Sequence, residues 1–242
     1  MRSHWFEDAA NHMKEAYLRY SFTKGTDQEV AFLMKELDLQ PGMKLLDVGC
    51  GPGRHAHAFA KSGIKVVGID ISQEFVDIAS RNTEKGATFI RMDARELSYE
   101  QSFDAVISLC QGAFGLAGKP DHPVGTLDPD GEILQRMGAC LVQGGKIAVS
   151  AFSAYFQLRY LEDNDTFYAD HGVNHELATL QDPEGVEITQ DLWTSCFTPR
   201  ELRLLAEKAD LSVESIWSVS PGKYSRTPPT YNHPEFLLIA SR

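Results

Sequence analysis

The stretch 45–55 constrains the fold more than any other part of the chain. In it an apolar run ends in the acid Asp47, a glycine-rich turn follows, and a helical pattern begins directly afterwards. Gly49, Gly51 and Gly53 can adopt positive φ and leave no Cβ in the way of a ligand. A helix that begins behind this turn presents free backbone N–H groups at its N-terminus. The stretch therefore predicts a strand, a ligand-binding loop and a helix.

The glycine spacing distinguishes this loop from a dinucleotide-binding loop. That loop has the pattern G-x-G-x-x-G and holds a pyrophosphate at the helix N-terminus, whereas the spacing here is G-x-G-x-G. Asp47 precedes the first glycine by two residues, where a carboxylate repels a pyrophosphate and suits a cationic amine. With Asp70 further along, this pattern resembles the class I S-adenosylmethionine-dependent methyltransferases. An ordinary tight turn in an α/β domain is the alternative interpretation.

Charge and cysteine content limit the partners of the chain. The formal net charge is −11, and nucleic-acid binding needs Lys and Arg that neutralise phosphates, so we expect no nucleic-acid partner. The four cysteines are scattered without a C-x-x-C pair, which indicates reduced thiols and no metal site. No signal peptide or long apolar span is visible, and we expect a cytoplasmic protein without a membrane partner.

The pattern divides the chain into four parts. Residues 1–40 have helical periodicity and are expected to form an N-terminal cap. Residues 41–152 alternate strand and helix, which predicts a cofactor-binding core with a parallel sheet. Residues 153–196 are rich in aromatic side chains and are expected to form an inserted lid that binds the acceptor, and residues 197–242 complete the core. The predicted fold class is α/β, a Rossmann-like doubly wound, mostly parallel seven-stranded sheet with N-terminal helices and a lid.

Individual elements follow from the same alternation. The predicted strands are Lys44–Val48, Lys65–Ile69, Ala87–Arg91, Phe103–Leu109, Lys146–Phe152, Ser212–Val219 and Phe236–Ala240. The predicted helices include Asp27–Leu37, Arg54–Ser62, Gln73–Asn82 and Asp130–Leu141. A last helix runs to about Ala209, with Thr198 as its N-cap and Pro199 at its first position.

Several polar residues lie at or just past the predicted strand ends, where an open parallel sheet binds its ligands. The resemblance implies that Asp47 and the Gly49–Gly53 loop face the methionine moiety of the cofactor. It implies that Asp70 accepts hydrogen bonds from the ribose hydroxyls and that Asp93 receives the adenine amino group. A carboxylate has the acceptor geometry for a vicinal diol. Helix N-caps or loop acids are the alternative for Asp70 and Asp93.

The resemblance also implies the remaining cofactor contacts. Ile71 and Phe75 would lie against adenine, with the Ala94 N–H beside a ring nitrogen, and the turn after the fourth strand would line the methyl exit. The N-terminal segment would fold over the cofactor or, alternatively, pack as plain helix. The predicted cofactor-binding residues are Tyr20, Asp47, Gly49, Cys50, Gly51, Gly53, Asp70, Ile71, Phe75, Asp93, Ala94, Leu109, Cys110 and Gln111.

His171 and His175 are the candidate catalytic residues. They are four positions apart, so on a helix they would share a face, and histidine titrates in the range of a general base. They match no fixed metal-ligand motif, and lid or surface histidines are the alternative. His55 is expected to pack and cap rather than to react.

The resemblance implies an enzyme that moves a methyl group from S-adenosylmethionine to a small or medium-sized acceptor and leaves S-adenosylhomocysteine. The sulfonium already activates the methyl group, so the protein needs mainly to align the acceptor in line and exclude water. A nicotinamide-dependent oxidoreductase and a non-catalytic cofactor-binding protein on the same fold are the alternatives. The acceptor, its reacting atom, the pathway and the oligomeric state stay open.

Overall fold

The computed structural model describes residues 4–81, 84–116, 118 and 129–242. Its helices are α1 (Trp5–Met13), α2 (Thr26–Glu36), α3 (Arg54–Lys61), α4 (Gln73–Arg81), α5 (Pro129–Cys140), α6 (Ala154–Arg159) and α7 (Pro199–Lys208). Its strands are β1 (Lys44–Val48), β2 (Lys65–Asp70), β3 (Ala87–Arg91), β4 (Phe103–Ser108), β5 (Leu141–Ser153), β6 (Thr166–Tyr168), β7 (Val173–Gln181), β8 (Glu187–Phe197), β9 (Ser212–Val219) and β10 (Glu235–Ser241). Short 3-10 turns cover Lys14–Arg19, Ser21–Gly25 and Ala94–Glu96.

Seven strands form the central sheet in the order β3-β2-β1-β4-β5-β10-β9. Neighbours from β3 to β5 run parallel, whereas β10 is antiparallel to both β5 and β9. The predicted Rossmann-like, mostly parallel sheet is confirmed. The strand order reverses between β1 and β4, which is where such a sheet binds its ligand.

Helices cover both faces of the sheet, because the side chains of its buried strands alternate between two cores. Leu46 of β1 belongs to the core formed with α5 and α7. Its neighbour Leu45 belongs to the core formed with α2 and α3. The sheet is therefore doubly wound, as predicted.

The N-terminal helix α1 packs between helix α4, which covers the central sheet, and strand β7. It begins with a capping box, in which the His4 side chain accepts the Phe6 N–H and Glu7 accepts the His4 N–H at 3.1 Å. Its buried face packs with Phe75 of α4 and Leu180 of β7. The chain between α1 and α2 forms two 3-10 turns that carry Tyr17 and Phe22, with Tyr20 between the turns.

Segment 153–196, expected to be an inserted lid, contains α6 and an antiparallel sheet with the order β6-β7-β8. This added sheet joins the central sheet through the pairs Phe152–Cys196 and Ser153–Phe197. The turn Asp182–Gly185 links β7 to β8, with Gly185 at φ +85°. Pro183 and Gly185 in this turn are typical of a hairpin connection, but the sequence-based prediction did not include a hairpin here.

Most predicted bounds are exact or differ from the structure by one residue. The fifth strand is the exception, because it begins at Leu141, which already pairs with Phe103, rather than at Lys146. The helix α7 has the predicted cap, since the Thr198 side chain accepts the Glu201 N–H at 3.2 Å. The predicted helix end at Asn82 lies outside the described residues.

Candidate active site

The loops after β1 and β4 meet where the strand order reverses. Gly49 (φ +74°) and Gly112 approach so closely that a Cβ on either residue would overlap backbone atoms of the other. The N–H groups of Gly49 and Cys50 donate to the Ile69 carbonyl at 2.8 and 2.9 Å. The glycine loop is thereby tied to the end of β2 and to the loop after β4.

Two non-glycine residues in the left-handed region follow β4. Cys110 has φ 51° and Gln111 has φ 53°, and such backbone conformations each cost on the order of 1–3 kcal/mol. The Cys110 N–H donates to the Ser150 hydroxyl at 2.7 Å, and the Gly112 N–H donates to the Leu109 carbonyl at 3.0 Å. These bonds hold the side chains of Cys110 and Gln111 at the wall of a cavity.

Asp70 lies at the end of β2 and reaches both cavities of the site. Its Oδ2 accepts the Gly51 N–H and its Oδ1 accepts the Ser72 N–H, each at 2.8 Å. Burial raises the pKa of Asp70 to about 6, although these backbone hydrogen bonds favour the ionised form. Because a carboxylate oxygen accepts more than one hydrogen bond, Asp70 can also bind a ligand hydroxyl.

A narrow cleft extends from Asp70 to Asp93. It is lined by His4, Phe6, Gly49, Ile69, Asp70, Ile71, Met92, Asp93, Ala94, Arg95, Gly112, Ala113, Leu116 and Ile133. The Arg95 guanidinium pairs with the Asp93 carboxylate at 2.6 Å. Burial alone would raise the pKa of Asp93, but the hydrogen bonds from Arg95 outweigh it and hold that pKa below its usual value. Asp93 is therefore an ionised hydrogen-bond acceptor, and both of its oxygens already accept hydrogen bonds from Arg95.

A cavity of about 470 Å³, the aromatic chamber, adjoins this cleft. The two share Phe6, Gly49, Asp70, Gly112 and Leu116. Aromatic side chains dominate the chamber wall: Trp5, Phe6, Tyr17, Tyr20, Phe22, Phe75 and Phe152. The added sheet contributes Glu176, Ala178, Thr179, Leu180, Leu192 and Thr194. The cap, the core and the inserted segment thus enclose one chamber.

Most of the predicted cofactor-binding residues line the cleft or the chamber. These are Tyr20, Gly49, Gly51, Asp70, Ile71, Phe75, Asp93, Ala94, Cys110 and Gln111. The described lining residues do not include Asp47, Cys50, Gly53 or Leu109. Gly53 is the N-cap of α3 and has φ +82°. A Cβ there would be too close to the Phe89 ring, so the backbone conformation and local packing both favour glycine at this position.

Asp47 is buried without reaching either cavity. It is 2% exposed, and its Oδ2 has no hydrogen-bond partner among the described residues. Burial raises the pKa of Asp47 to about 7, against the Arg54 charge and a backbone hydrogen bond from Ala56. Its predicted role toward a ligand ammonium stays a prediction.

A buried ion-pair network supports the glycine loop from α2. The Glu29 carboxylate lies 2.8 Å from Arg54 and 2.7 Å from His55, and it accepts the Gly222 N–H at 2.7 Å. Burial lowers the pKa of His55 to about 4, so the ring is neutral and donates to Glu29. Arg54 also donates to the Cys110 Sγ at 2.8 Å, which links this network to the turn after β4. His55 has the packing position that the sequence predicts.

Sequence reasoning missed Glu235, the first residue of β10. Its side chain is 3% exposed, lines the chamber, and has an Oε2 without a hydrogen-bond partner among the described residues. Burial raises the pKa of Glu235 to about 7. An acid at the start of an otherwise apolar strand was the available signal. Gly112 and the cap residue Phe6 were also missed.

The two candidate catalytic histidines do not lie on a helix, so the condition for a shared helix face is not met. His175 lies on β7, pairs with Asp191 at 2.6 Å and stacks on the Trp193 ring at a centroid distance of 4.1 Å. His171 lies in the turn before β7. Neither is among the described lining residues of the cleft or the chamber. Their catalytic role stays a prediction.

No group of three or more His, Cys, Asp or Glu within the described residues could hold a metal ion. The four cysteines are free thiols. None of the described helices has the length and apolar character needed to cross a membrane.

The residues of the cleft fit a nucleoside-bearing cofactor. Gly51 (φ +54°) has only ordinary contacts at its Cβ position, with the rings of Tyr17 and Phe75 at 3.8 and 4.0 Å. Gly51 and these two rings line the chamber together. Asp70 offers the carboxylate that a ribose diol requires, and Ile71 and Ala94 offer small apolar walls and a backbone N–H.

Comparisons with known proteins agree with this geometry. A family model described as a methyltransferase domain matches residues 45–145. The chain is 25% identical over 215 residues to the cypemycin N-terminal methyltransferase of Streptomyces sp, which covers 83% of this chain and 84% of that protein. Further curated relatives are matched over less than half of their own length.

Two solved structures share the fold over nearly the whole chain. The CcbJ methyltransferase from Streptomyces caelestis superposes with a TM-score of 0.73 at 17% identity, over 96% of this chain and 97% of that one. The S-adenosylmethionine-bound CalS10, an amino pentose methyltransferase from Micromonospora echinaspora, gives a TM-score of 0.65 at 20% identity, over 94% and 95%. At these identities the likeness concerns the fold.

Proposed function

Because this chain belongs to the class I S-adenosylmethionine-dependent methyltransferases, we propose that it methylates a small molecule, the acceptor, held in the aromatic chamber. The observation that carries this proposal is the continuity of the cleft and the chamber across Gly49, Asp70 and Gly112. A narrow cleft with carboxylates at both ends, adjoining a separate chamber with aromatic walls, suits a reaction between two substrates.

The cleft would hold the adenosine end of the cofactor. Asp70 would accept hydrogen bonds from the ribose hydroxyls, because both of its oxygens are oriented by backbone N–H groups at 2.8 Å. Ile71 would pack against the base, and Asp93 and Ala94 would face its polar edge. Preorganised partners of this kind reduce the ordering that binding requires.

The glycine loop and the Cys110–Gln111 turn would hold the methionine end at the junction of cleft and chamber. When bound, S-adenosylmethionine supplies a methyl group activated by its sulfonium. The residues of the chain need to orient an acceptor in line with that methyl group and to exclude water. The aromatic wall with Tyr17, Tyr20 and Phe22 supplies an apolar, water-poor surface for this purpose.

Size and charge support a small acceptor. The chamber volume of about 470 Å³ lies within the range of small-molecule sites, roughly 300–1,000 Å³. The net charge of −11 opposes a nucleic-acid substrate. The relatives named for an N-terminus and for an amino pentose support an acceptor of this class.

Calorimetric titration tests the proposal with S-adenosylhomocysteine and, separately, with NADH. We expect micromolar binding of S-adenosylhomocysteine, equivalent to about −8 kcal/mol, and no heat from NADH. Binding of NADH alone would contradict the proposal and favour the oxidoreductase alternative. A cofactor-bound protein that transfers no labelled methyl group to any member of a broad small-molecule panel would favour a non-catalytic protein.

A further inference from the structure

Glu235 stands at the junction of β10 with its two neighbours. It pairs in register with Phe152 of β5 and with Val219 of β9, so the backbone fixes its position. The side chain faces the chamber next to Pro234 and is almost completely buried. Its Oε2 has no hydrogen-bond partner among the described residues. A buried, unpartnered carboxylate oxygen on a cavity wall is costly unless a ligand pairs with it.

The groups around Glu235 come from four parts of the fold. The Gln111 side-chain amide acts on Glu235 as a hydrogen-bond donor and lowers the Glu235 pKa, although neither Gln111 Nε2 nor Glu235 Oε2 has a partner at ordinary hydrogen-bond geometry among the described residues. The Cys110 thiol lies in the same turn. Arg54 of α3 lies near but already pairs with Glu29 of α2 at 2.8 Å. The buried Tyr224 phenol, in the loop after β9, is near enough to interact with it electrostatically. The nearby positive charge is therefore matched by Glu29, and an ionised Glu235 leaves this buried region with one uncompensated negative charge.

The chamber wall has a marked charge pattern. Its described lining residues include the acids Asp70, Glu176 and Glu235 and include no Lys, Arg or His. Aromatic rings, among them Tyr20 and Phe22, line the same chamber, and the faces of such rings also attract cations. A carboxylate with free acceptor capacity beside aromatic faces favours a ligand that is both cationic and a hydrogen-bond donor.

We infer that Glu235 is the acceptor-recognition residue of this enzyme and that the acceptor is a small amine, whose N–H groups donate to the unpartnered Oε2. This inference rests on the proposed function, since it assigns a substrate class to the same chamber. Burial raises the pKa of Glu235 to about 7, which makes it a stronger base than an ordinary carboxylate.

The reaction then balances without a further co-reactant. The Glu235 carboxylate takes one proton from the bound ammonium and leaves a neutral amine with a free lone pair. That lone pair forms the new nitrogen–carbon bond while the carbon–sulfur bond breaks, and the electron pair of the broken bond stays on sulfur. The methylated nitrogen carries the positive charge, and the Glu235 proton passes to solvent when the chamber opens.

The test compares Glu235→Gln with wild type, both saturated with S-adenosylhomocysteine. Calorimetry at pH 8 measures binding of benzylamine and 2-phenylethylamine, with benzyl alcohol and 2-phenylethanol as neutral matched ligands. We expect wild type to bind the amines at least tenfold more tightly than the alcohols, and Glu235→Gln to lose this preference. The exposed Glu100→Gln variant serves as the control and should keep it.

The pH dependence gives a second readout. Amine affinity of wild type should rise as pH increases toward about 7, by about tenfold per pH unit below the pKa of Glu235. Glu235→Gln should lack this rise. If Glu235→Gln does not fold, Glu235→Asp replaces it, because this variant keeps the carboxylate but moves it back by one methylene group. We expect Glu235→Asp to bind amines more weakly than wild type and to keep the rise of amine affinity with pH.

Three outcomes would overturn the inference. The first is equal amine affinity in wild type and Glu235→Gln, and the second is the absence of amine binding by wild type. The third is a loss of S-adenosylhomocysteine affinity in Glu235→Gln, because it would assign Glu235 to the cofactor. Failure of the proposed function itself would differ from all three, since wild type would then not bind S-adenosylhomocysteine.

Discussion

Gly49 after β1 and Gly112 after β4 pack backbone against backbone, with no room for a Cβ on either residue. The contact joins the two strands between which the order of the sheet reverses. It lets the glycine loop and the Cys110–Gln111 turn form one continuous wall of the site. Only residues without a side chain permit such an approach.

Gly112→Ala tests this contact. The φ of Gly112 is not in the left-handed region, so the added methyl acts by overlap with the Gly49 carbonyl rather than by backbone strain. We expect a loss of about 1–3 kcal/mol in the free energy of unfolding, typical of overpacking, and weaker S-adenosylhomocysteine binding. Urea unfolding and calorimetry measure the two effects. Gly144→Ala, whose Cβ position is open but whose φ is +77°, is the control: backbone strain alone should lower its stability, and it should keep cofactor affinity.

Asp70→Asn should weaken binding of S-adenosylhomocysteine by tenfold or more, which is at least about 1.4 kcal/mol. The amide keeps the shape of the side chain but offers one acceptor oxygen in place of two. The fold should stay cooperative in urea unfolding. Exposed Asp163→Asn is the matched control and should bind like wild type. Unchanged affinity in Asp70→Asn would mean that another residue binds the ribose.

Asp47→Asn should stabilise the ligand-free protein in a pH-dependent way. Burial raises the pKa of Asp47 from 3.8 to about 7, so the folded state holds a proton that the unfolded chain loses. This contribution to stability is present below about pH 4 and is lost as pH rises to about 7. The advantage of Asp47→Asn over wild type should therefore grow between pH 4 and 7 and then stay constant. A constant difference in urea unfolding across this range would contradict the assignment.

Glu29→Gln should destabilise the fold by about 3–5 kcal/mol, as expected when one partner of a buried ion pair is removed. Arg54 would lose its buried counter-ion and His55 its acceptor. Burial opposes ionisation of Glu29, but His55, Arg54 and the Gly222 N–H lower its pKa to about 2. The stabilisation is present above the unfolded pKa of about 4.5 and is lost as pH falls toward 2. Wild type and variant should therefore converge in acid unfolding.

His175→Gln and His171→Gln decide whether the histidines have a catalytic role. The contacts of His175 with Asp191 and Trp193 are those of a surface packing residue, so its variant should lose at most about 1 kcal/mol of stability. Turnover and its pH profile should match wild type in both variants. A large fall in kcat with intact cofactor affinity would return a histidine to the mechanism.

Much of the fold could be predicted from patterns within short stretches of the sequence. Buried parallel strands appear in a sequence as apolar runs, so the buried strand Lys44–Val48 has its predicted bounds. The cap of α7 is likewise encoded within a few residues, by Thr198 and Glu201. The hairpin β7–β8 was not predicted because its strands are half-exposed and mix polar with apolar residues.

The chemistry of the site divides in the same way. The sequence by itself determined the glycine loop and the acid Asp70, because both follow directly from the ends of predicted strands. Only the tertiary structure showed that Glu235 and Gly112 line the same chamber as that loop. Only it showed that Asp47 is buried elsewhere and that His175 packs on Trp193 instead of lining the chamber. Pairing between distant strands decides which side chains face a cavity and which are buried elsewhere, and spacing along the chain holds no record of that pairing.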